Sequence, residues 1–300
     1  MTPDDSAANW SRRRVLASLL GVGAVAPFVR GSRDVTGDSV LLRYTAHIPN
    51  SHGLYGKVFL PWEEIVTERT GGRIRWEHFV DKLLHGPLDG FKAVATGVTD
   101  YTHAYATYQP GSFHLTHGLQ LPFLFPSPGV AALVSEELYP EYLKDEYERM
   151  GVYLAHCDST TAYDIISKTP VRTPSDMRGL KVRSTGGLMA DILRQVEAIP
   201  VVLAAAETYT AFQRGILDAV ALGGPDMAAY RLHETGNYFT RVGLTHTVLQ
   251  YCLSPRTFDG LPEDLRVELY NLFRLRGQVA HRNYYGGEAL DRSIETLVAG

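Results

Sequence analysis

The 300 residues carry a formal net charge of −4, with 29 Lys plus Arg against 33 Asp plus Glu, and 45% of them are hydrophobic. An acidic balance without low-complexity tracts excludes the basic face that nucleic-acid binding needs, and the length fits one large domain or two ordinary ones with real cores. Two cysteines, Cys157 and Cys252, are too few for a disulfide framework or a paired-cysteine zinc site. Both end apolar runs and read as buried free thiols, with a single bridge as the alternative.

In chain order, Ser11-Arg12-Arg13-Arg14-Val15-Leu16 precedes an apolar, Gly/Ala-rich run to Val29. The pattern reads as a twin-arginine export signal, with Val15 where Phe is usual. The run is about half of the ~20 residues that a membrane-spanning helix needs, and Pro27 interrupts its end. Ala24-Val25-Ala26 supplies the small-x-small pattern for cleavage, and no cysteine follows to take a lipid. A cut there removes Asp4, Asp5, Arg12, Arg13 and Arg14, taking the net charge from −4 to near −5. Residues 1–34 are therefore expected to be signal and linker. The mature protein is expected in the periplasm or extracytoplasmic space, where ATP and reduced nicotinamide cofactors are absent.

The run 40–46 predicts a buried strand and 47–53 a turn-rich loop. An amphipathic helix follows from Leu54 until Gly71-Gly72 stops it. Residues 73–79 alternate like a strand, 88–96 read as a helix, and 100–106 as the next strand. The order recurs later: strand 180–183, helix 188–196, strand 199–203, helix 208–214. Gly97-Val98-Thr99-Asp100 and Gly215-Ile216-Leu217-Asp218 close the two equivalent helices in the same way. Glycine ends a helix there because it adopts the left-handed conformation without a Cβ penalty. Two such units predict two similar α/β lobes with mostly parallel sheets.

Strand-like runs at 151–157, 161–167 and 245–253 are the natural crossings between lobes. The expected arrangement is 38–160 plus 247–285 as lobe I and 161–246 plus a helical tail 286–300 as lobe II. Hinges are expected near 158–162 and 245–253. Ligands in such sheets bind at strand carboxyl ends, so the interlobe cleft is the expected site.

Several blocks carry a family resemblance: Phe79 with Leu83, Asp100, Leu121-Pro122-Phe123-Leu124-Phe125, the run from Ser167-Lys168-Thr169-Pro170 to Lys181-Val182-Arg183, the run from Glu207-Thr208-Tyr209 to Leu217-Asp218, and Leu261-Pro262. From about Val40 to about Glu268 the chain resembles the solute-binding receptors of tripartite ATP-independent periplasmic (TRAP) transporters. The resemblance implies a two-lobed periplasmic-binding-protein-like α/β fold that closes over a small organic acid. It also implies delivery of that acid to the membrane permease subunits, from a monomer or alternatively a dimer. The carboxylate-gripping arginine of the family falls on Arg183. Its planar, always-protonated fork matches a carboxylate with paired donors, where lysine offers only a point charge.

Departures from the pattern shape the expected ligand. Ala162 and Tyr163 stand where many relatives have a second arginine. Ala221-Leu222-Gly223-Gly224-Pro225 replaces the Glu-Trp-Val-Gly-Pro of one branch, so neither a metal nor any cofactor is expected. The lean is toward a monocarboxylate with a polar or aromatic remainder. Tyr105, Thr107, Asp158, Tyr163, Tyr209 and Gly224 are read as further cleft residues, with His47 and His52 in the loop after the first strand. Tyrosine suits such a pocket because its ring covers apolar surface while its hydroxyl orients a polar group. No His-Glu-x-x-His, Gly-x-Ser-x-Gly or phosphate loop is present, so no enzyme is expected. An exported hydrolase or lyase, or a ligand-binding sensor, is the alternative. The segment 265–297 has a helical pattern, and the resemblance implies further helices beyond it.

Overall fold

The computed structural model describes residues 39–299, so the expected export signal and its cleavage point lie outside the described residues. Within them the backbone forms two five-stranded sheets. The first contains β1 (Val40–Thr45), β2 (Ile74–Phe79), β3 (Tyr101–Ala104), β4 (Tyr153–Ser159) and β10 (Val248–Leu253) in the order β2-β1-β3-β10-β4. The second contains β5 (Tyr163–Ser167), β6 (Lys181–Ser184), β7 (Ile199–Val202), β8 (Ala219–Gly223) and β9 (Tyr238–Thr240) in the order β7-β6-β8-β5-β9. The helices that matter below are α1 (Leu60–Arg69), α2 (Gly90–Ala95), α3 (Pro128–Leu138), α4 (Gly187–Gln195), α5 (Thr208–Gln213), α6 (Gly224–Ala229), α7 (Glu263–Ala280) and α8 (Gly287–Ala299). None of the described helices is long and apolar enough to cross a membrane.

The repeated Gly-x-x-Asp junction has a physical basis. Gly97 and Gly215 both take φ +76°, the left-handed value that ends α2 and α5. Three residues on, each aspartate ties its strand to a parallel neighbour. Arg43 N–H donates to Asp100 Oδ2 (3.0 Å) and Asp100 N–H donates to Arg43 O (3.1 Å). Lys181 N–H donates to Asp218 Oδ2 (2.9 Å) and Asp218 N–H donates to Lys181 O (2.9 Å). The same four residue positions thus pin β3 to β1 and β8 to β6.

Both faces of the first sheet are covered, as a sheet with parallel strands requires. Along β10, Leu249, Tyr251 and Leu253 join an aromatic core with Tyr44, Phe59, Trp62 and Phe273, while Val248 and Cys252 pack on the other side with Phe91 and Tyr147. That alternation is the period-two geometry of a strand buried on both faces. Cys157 and Cys252 are both free and buried, and burial pushes both thiols above their usual range.

Two crossings join the sheets side by side. Thr160 N–H donates to Thr247 O (2.9 Å), Thr247 N–H to Thr160 Oγ1 (3.0 Å), Tyr163 N–H to Thr245 O (2.8 Å) and Leu244 N–H to Tyr163 O (2.8 Å). The second crossing is thus 241–247 and not the expected 245–253, because Val248–Leu253 is committed to pairing with β3 and β4. A third crossing follows α7, where the helix breaks at Gly286 and α8 packs on α6 of the second sheet.

Candidate functional site

A cavity of about 440 Å³, partly open to solvent, lies where the carboxyl ends of parallel strands from both sheets face one another. From the first lobe come His47 and Ile48 after β1, His52 in the same loop, and Tyr105, Thr107 and Tyr108 after β3. From the second come Arg183 at the end of β6, Thr185, Leu222 near the end of β8, and Asp226 and Tyr230 on and just after α6. Thr160, Tyr163 and Thr247 of the paired crossings, with Tyr285 of the third, close it.

Arg183 is the dominant charge. It is 1% exposed, and no carboxylate among the described residues lies within ion-pairing distance of it. Its Nε donates to Leu203 O (3.0 Å), Nη1 to Ala221 O (3.4 Å) and Nη2 to Tyr108 Oη (3.3 Å). Tyr108 belongs to the first lobe and also accepts from Ala205 N–H (3.4 Å), so this one phenol ties the lobes together at the cation. Guanidinium desolvation is costly, and neutral carbonyls and phenols offset only part of it.

Histidine and tyrosine rings are prominent among the other lining groups. His47 Nδ1 and His103 Nε2 lie 3.1 Å apart, and burial lowers the His47 imidazole to about 3 and the His52 imidazole to about 4. The rings of Tyr105 and His47 meet edge to face at 5.1 Å. Burial pushes the Asp226 carboxyl up to about 7, against the pull of a Tyr284 hydrogen bond and the Arg183 charge. The hydroxyls of Thr107 and Thr185 are buried with no hydrogen-bond partner among the described residues.

Six of the sequence-derived candidates therefore line one cavity: Arg183, Tyr105, Thr107, Tyr163, His47 and His52. Three do not. Asp158, on β4, is fully buried and paired with the equally buried Arg276, whose guanidinium stacks 3.8 Å from the Tyr251 ring. An aspartate with a dedicated internal cation has no need of a ligand. Tyr209 lies on α5 and points away from the cleft, its hydroxyl donating to Glu234 Oε2 (2.9 Å). Gly224 faces α8, where a Cβ would come 3.0 Å from Ile294 Cδ1, so its smallness serves helix packing.

Asp226, Tyr108, Tyr230 and Tyr285 were not singled out from the sequence. For Asp226 a signal existed, since Pro225 at the first helical turn marks a helix starting at the end of β8 and so facing the cleft. Tyr285 reaches the cavity only because the third crossing folds back, which local pattern does not encode.

Comparison with known proteins places this architecture. The family model for bacterial extracellular solute-binding proteins, family 7, matches residues 45–289. The C4-dicarboxylate-binding periplasmic protein DctP of Rhodobacter capsulatus is 24% identical over 291 residues, 96% of this chain and 84% of that protein. A TRAP periplasmic solute-binding protein from Bordetella bronchiseptica, solved with bound (R)- and (S)-mandelate, superimposes with a TM-score of 0.80 at 25% identity over 87% of this chain and 83% of that one. One from Rhodoferax ferrireducens in complex with benzoate has a TM-score of 0.81 at 19% identity over 87% and 82% of the two chains. The two-lobed fold, the cleft at the strand ends and the match across most of the chain agree: this protein belongs to the family 7 extracellular solute-binding proteins, the receptors of TRAP transporters.

Proposed function

We propose that this receptor captures a small monocarboxylic acid in the interlobe cavity, with Arg183 as the carboxylate clamp and the tyrosines as apolar walls. The observation that carries the reading is a buried guanidinium facing a cavity with no ion-pairing carboxylate among the described residues. An entering anion supplies the missing counter-charge, and the always-protonated fork offers it paired donors. Mandelate in the Bordetella bronchiseptica receptor and benzoate in the Rhodoferax ferrireducens receptor support an aromatic monocarboxylate. Tyr105, Tyr108, Tyr163 and Tyr230 give this cavity matching ring surface. The closed receptor then hands the acid, chemically unchanged, to its membrane permease.

We assign lobe I to 38–160 plus 247–285 and lobe II to 161–246 plus 286–300, a division that the two separate sheets support. Closure bends the paired crossings at 160–163 and 244–247 together. The receptor acts as a monomer, exported by the twin-arginine route through Arg12-Arg13-Arg14.

A thermal-shift screen against carboxylic acids tests the binding reading. A ligand at a hundred times its dissociation constant adds about 2.7 kcal/mol of stability. Stabilisation by an acid that is recovered intact is the expected result. A screen in which only uncharged compounds stabilise the protein, or in which a hit is turned over, refutes it. Replacing Arg12 and Arg13 by lysine should hold the protein in the cytoplasm, and unimpaired export would refute the route.

A further inference from the structure

We propose that His52 and Asp226 form a second polar subsite that holds a hydroxyl group of the bound acid, making this a receptor selective for hydroxy acids. This rests on the reading that Arg183 takes the carboxylate.

The loop after β1 sets the chemistry of His52. Leu54 N–H donates to His52 Nδ1 (3.2 Å), so that nitrogen is unprotonated. Burial keeps the ring neutral, and its single proton therefore sits on Nε2. His52 lines the cavity, and its Nε2 is buried with no hydrogen-bond partner among the described residues. Asp226 Oδ1, reaching in from the other lobe, lies 3.8 Å from it, beyond hydrogen-bond distance. A buried donor with no acceptor is costly, which marks the cavity side of this pair, within hydrogen-bond distance of both groups, as a place for a polar ligand atom.

Asp226 Oδ1 is equally well defined. Tyr284 Oη donates to it at 3.0 Å and lies 3.3 Å from Pro225 O, and in the ionised carboxyl, which predominates above about pH 7, Oδ1 only accepts. Tyr284 reaches that point because residue 53 is glycine: a Cβ there would sit 2.3 Å from the Tyr284 ring. With that carboxyl ionised, the cavity presents one fixed donor and one fixed acceptor from opposite lobes. A hydroxyl is the small neutral group that accepts from the first and donates to the second at once. A ketone or ether only accepts, a methyl does neither, and a second carboxylate would meet the lone pairs of Oδ1. The hydroxyls of Thr107 and Thr185 rotate to suit either kind of partner, so discrimination falls to the fixed pair.

Isothermal titration of the whole chain with matched acids tests this: phenylacetate with mandelate, propionate with lactate, and succinate with malate. Within whichever pair binds, the hydroxylated member should bind about tenfold or more tightly. His52→Phe should bring the affinities of the two members to within about threefold of each other. His52→Gln, which retains an amide N–H near the Nε2 position, should keep most of the preference. Asp226→Leu repeats the test from the other lobe, and circular dichroism confirms folding for each variant. Equal binding of both members by the wild-type protein would overturn the subsite while leaving the Arg183 reading intact. Failure of every acid in the set would overturn both.

Discussion

The Asp226 carboxyl makes stability depend on pH in a direction opposite to that of an ordinary surface acid. Its pKa rises from 3.8 to about 7, chiefly because burial disfavours the charged form, with the Tyr284 hydrogen bond and Arg183 lowering it only in part. The folded protein therefore holds this proton more tightly than the unfolded chain does. Between about pH 4 and pH 7 the native state binds more protons, so stability falls as pH rises through that window and levels off above it. Raising the carboxyl from 3.8 to about 7 corresponds to a penalty on the order of 4 kcal/mol at pH 8. Asp226→Asn removes the charge while keeping an oxygen that accepts from Tyr284. The variant should match the wild-type protein near pH 4 and exceed it by up to that amount at pH 8, a rise in melting temperature on the order of 10 °C. Urea unfolding of both proteins at pH 4, 6 and 8 measures the difference directly. Other buried acids, such as Glu136 with its carboxyl pushed up to about 7, are common to both proteins and cancel. Parallel stability curves, or a variant weaker at pH 8, would refute the reasoning.

Arg183→Ala should weaken carboxylate binding by about 3 to 5 kcal/mol, more than a hundredfold, and Arg183→Lys should also bind worse because the paired geometry is lost. Titration calorimetry giving less than about a tenfold loss for the alanine variant would remove Arg183 from its role. Asp158→Ala strands the buried Arg276 charge and should cost about 3 to 5 kcal/mol of folding stability in urea, whereas a ligand contact would show mainly in affinity. Gly224→Val forces side-chain atoms against Ile294 of α8 and should cost about 1 to 3 kcal/mol. Unchanged chemical denaturation of that variant would show that α8 does not pack there as described.

Much of this architecture was legible before any coordinates. Alternating strand and helix patterns and two Gly-x-x-Asp junctions predict two α/β lobes with a cleft at the strand ends, because each signal is local: periodicity, helix termination and strand-end position. Tyr105, Thr107 and Tyr163 follow from that logic, Arg183, His47 and His52 from the family resemblance, and all six line one cavity. Burial and pairing across distant segments were decided only in three dimensions. Asp158 reads as a cleft residue until Arg276, 118 positions away, is seen to neutralise it. Gly224 reads as part of a ligand loop until α8 is seen packed against it. The tautomer of His52 depends on Leu54 two residues on, but its significance depends on Asp226, brought from the other lobe by the fold. Sequence determines which side chains carry charge and which stretches become strands and helices, whereas desolvation and hydrogen-bond geometry belong to the assembled chain, where a residue's neighbours are set by packing rather than by spacing.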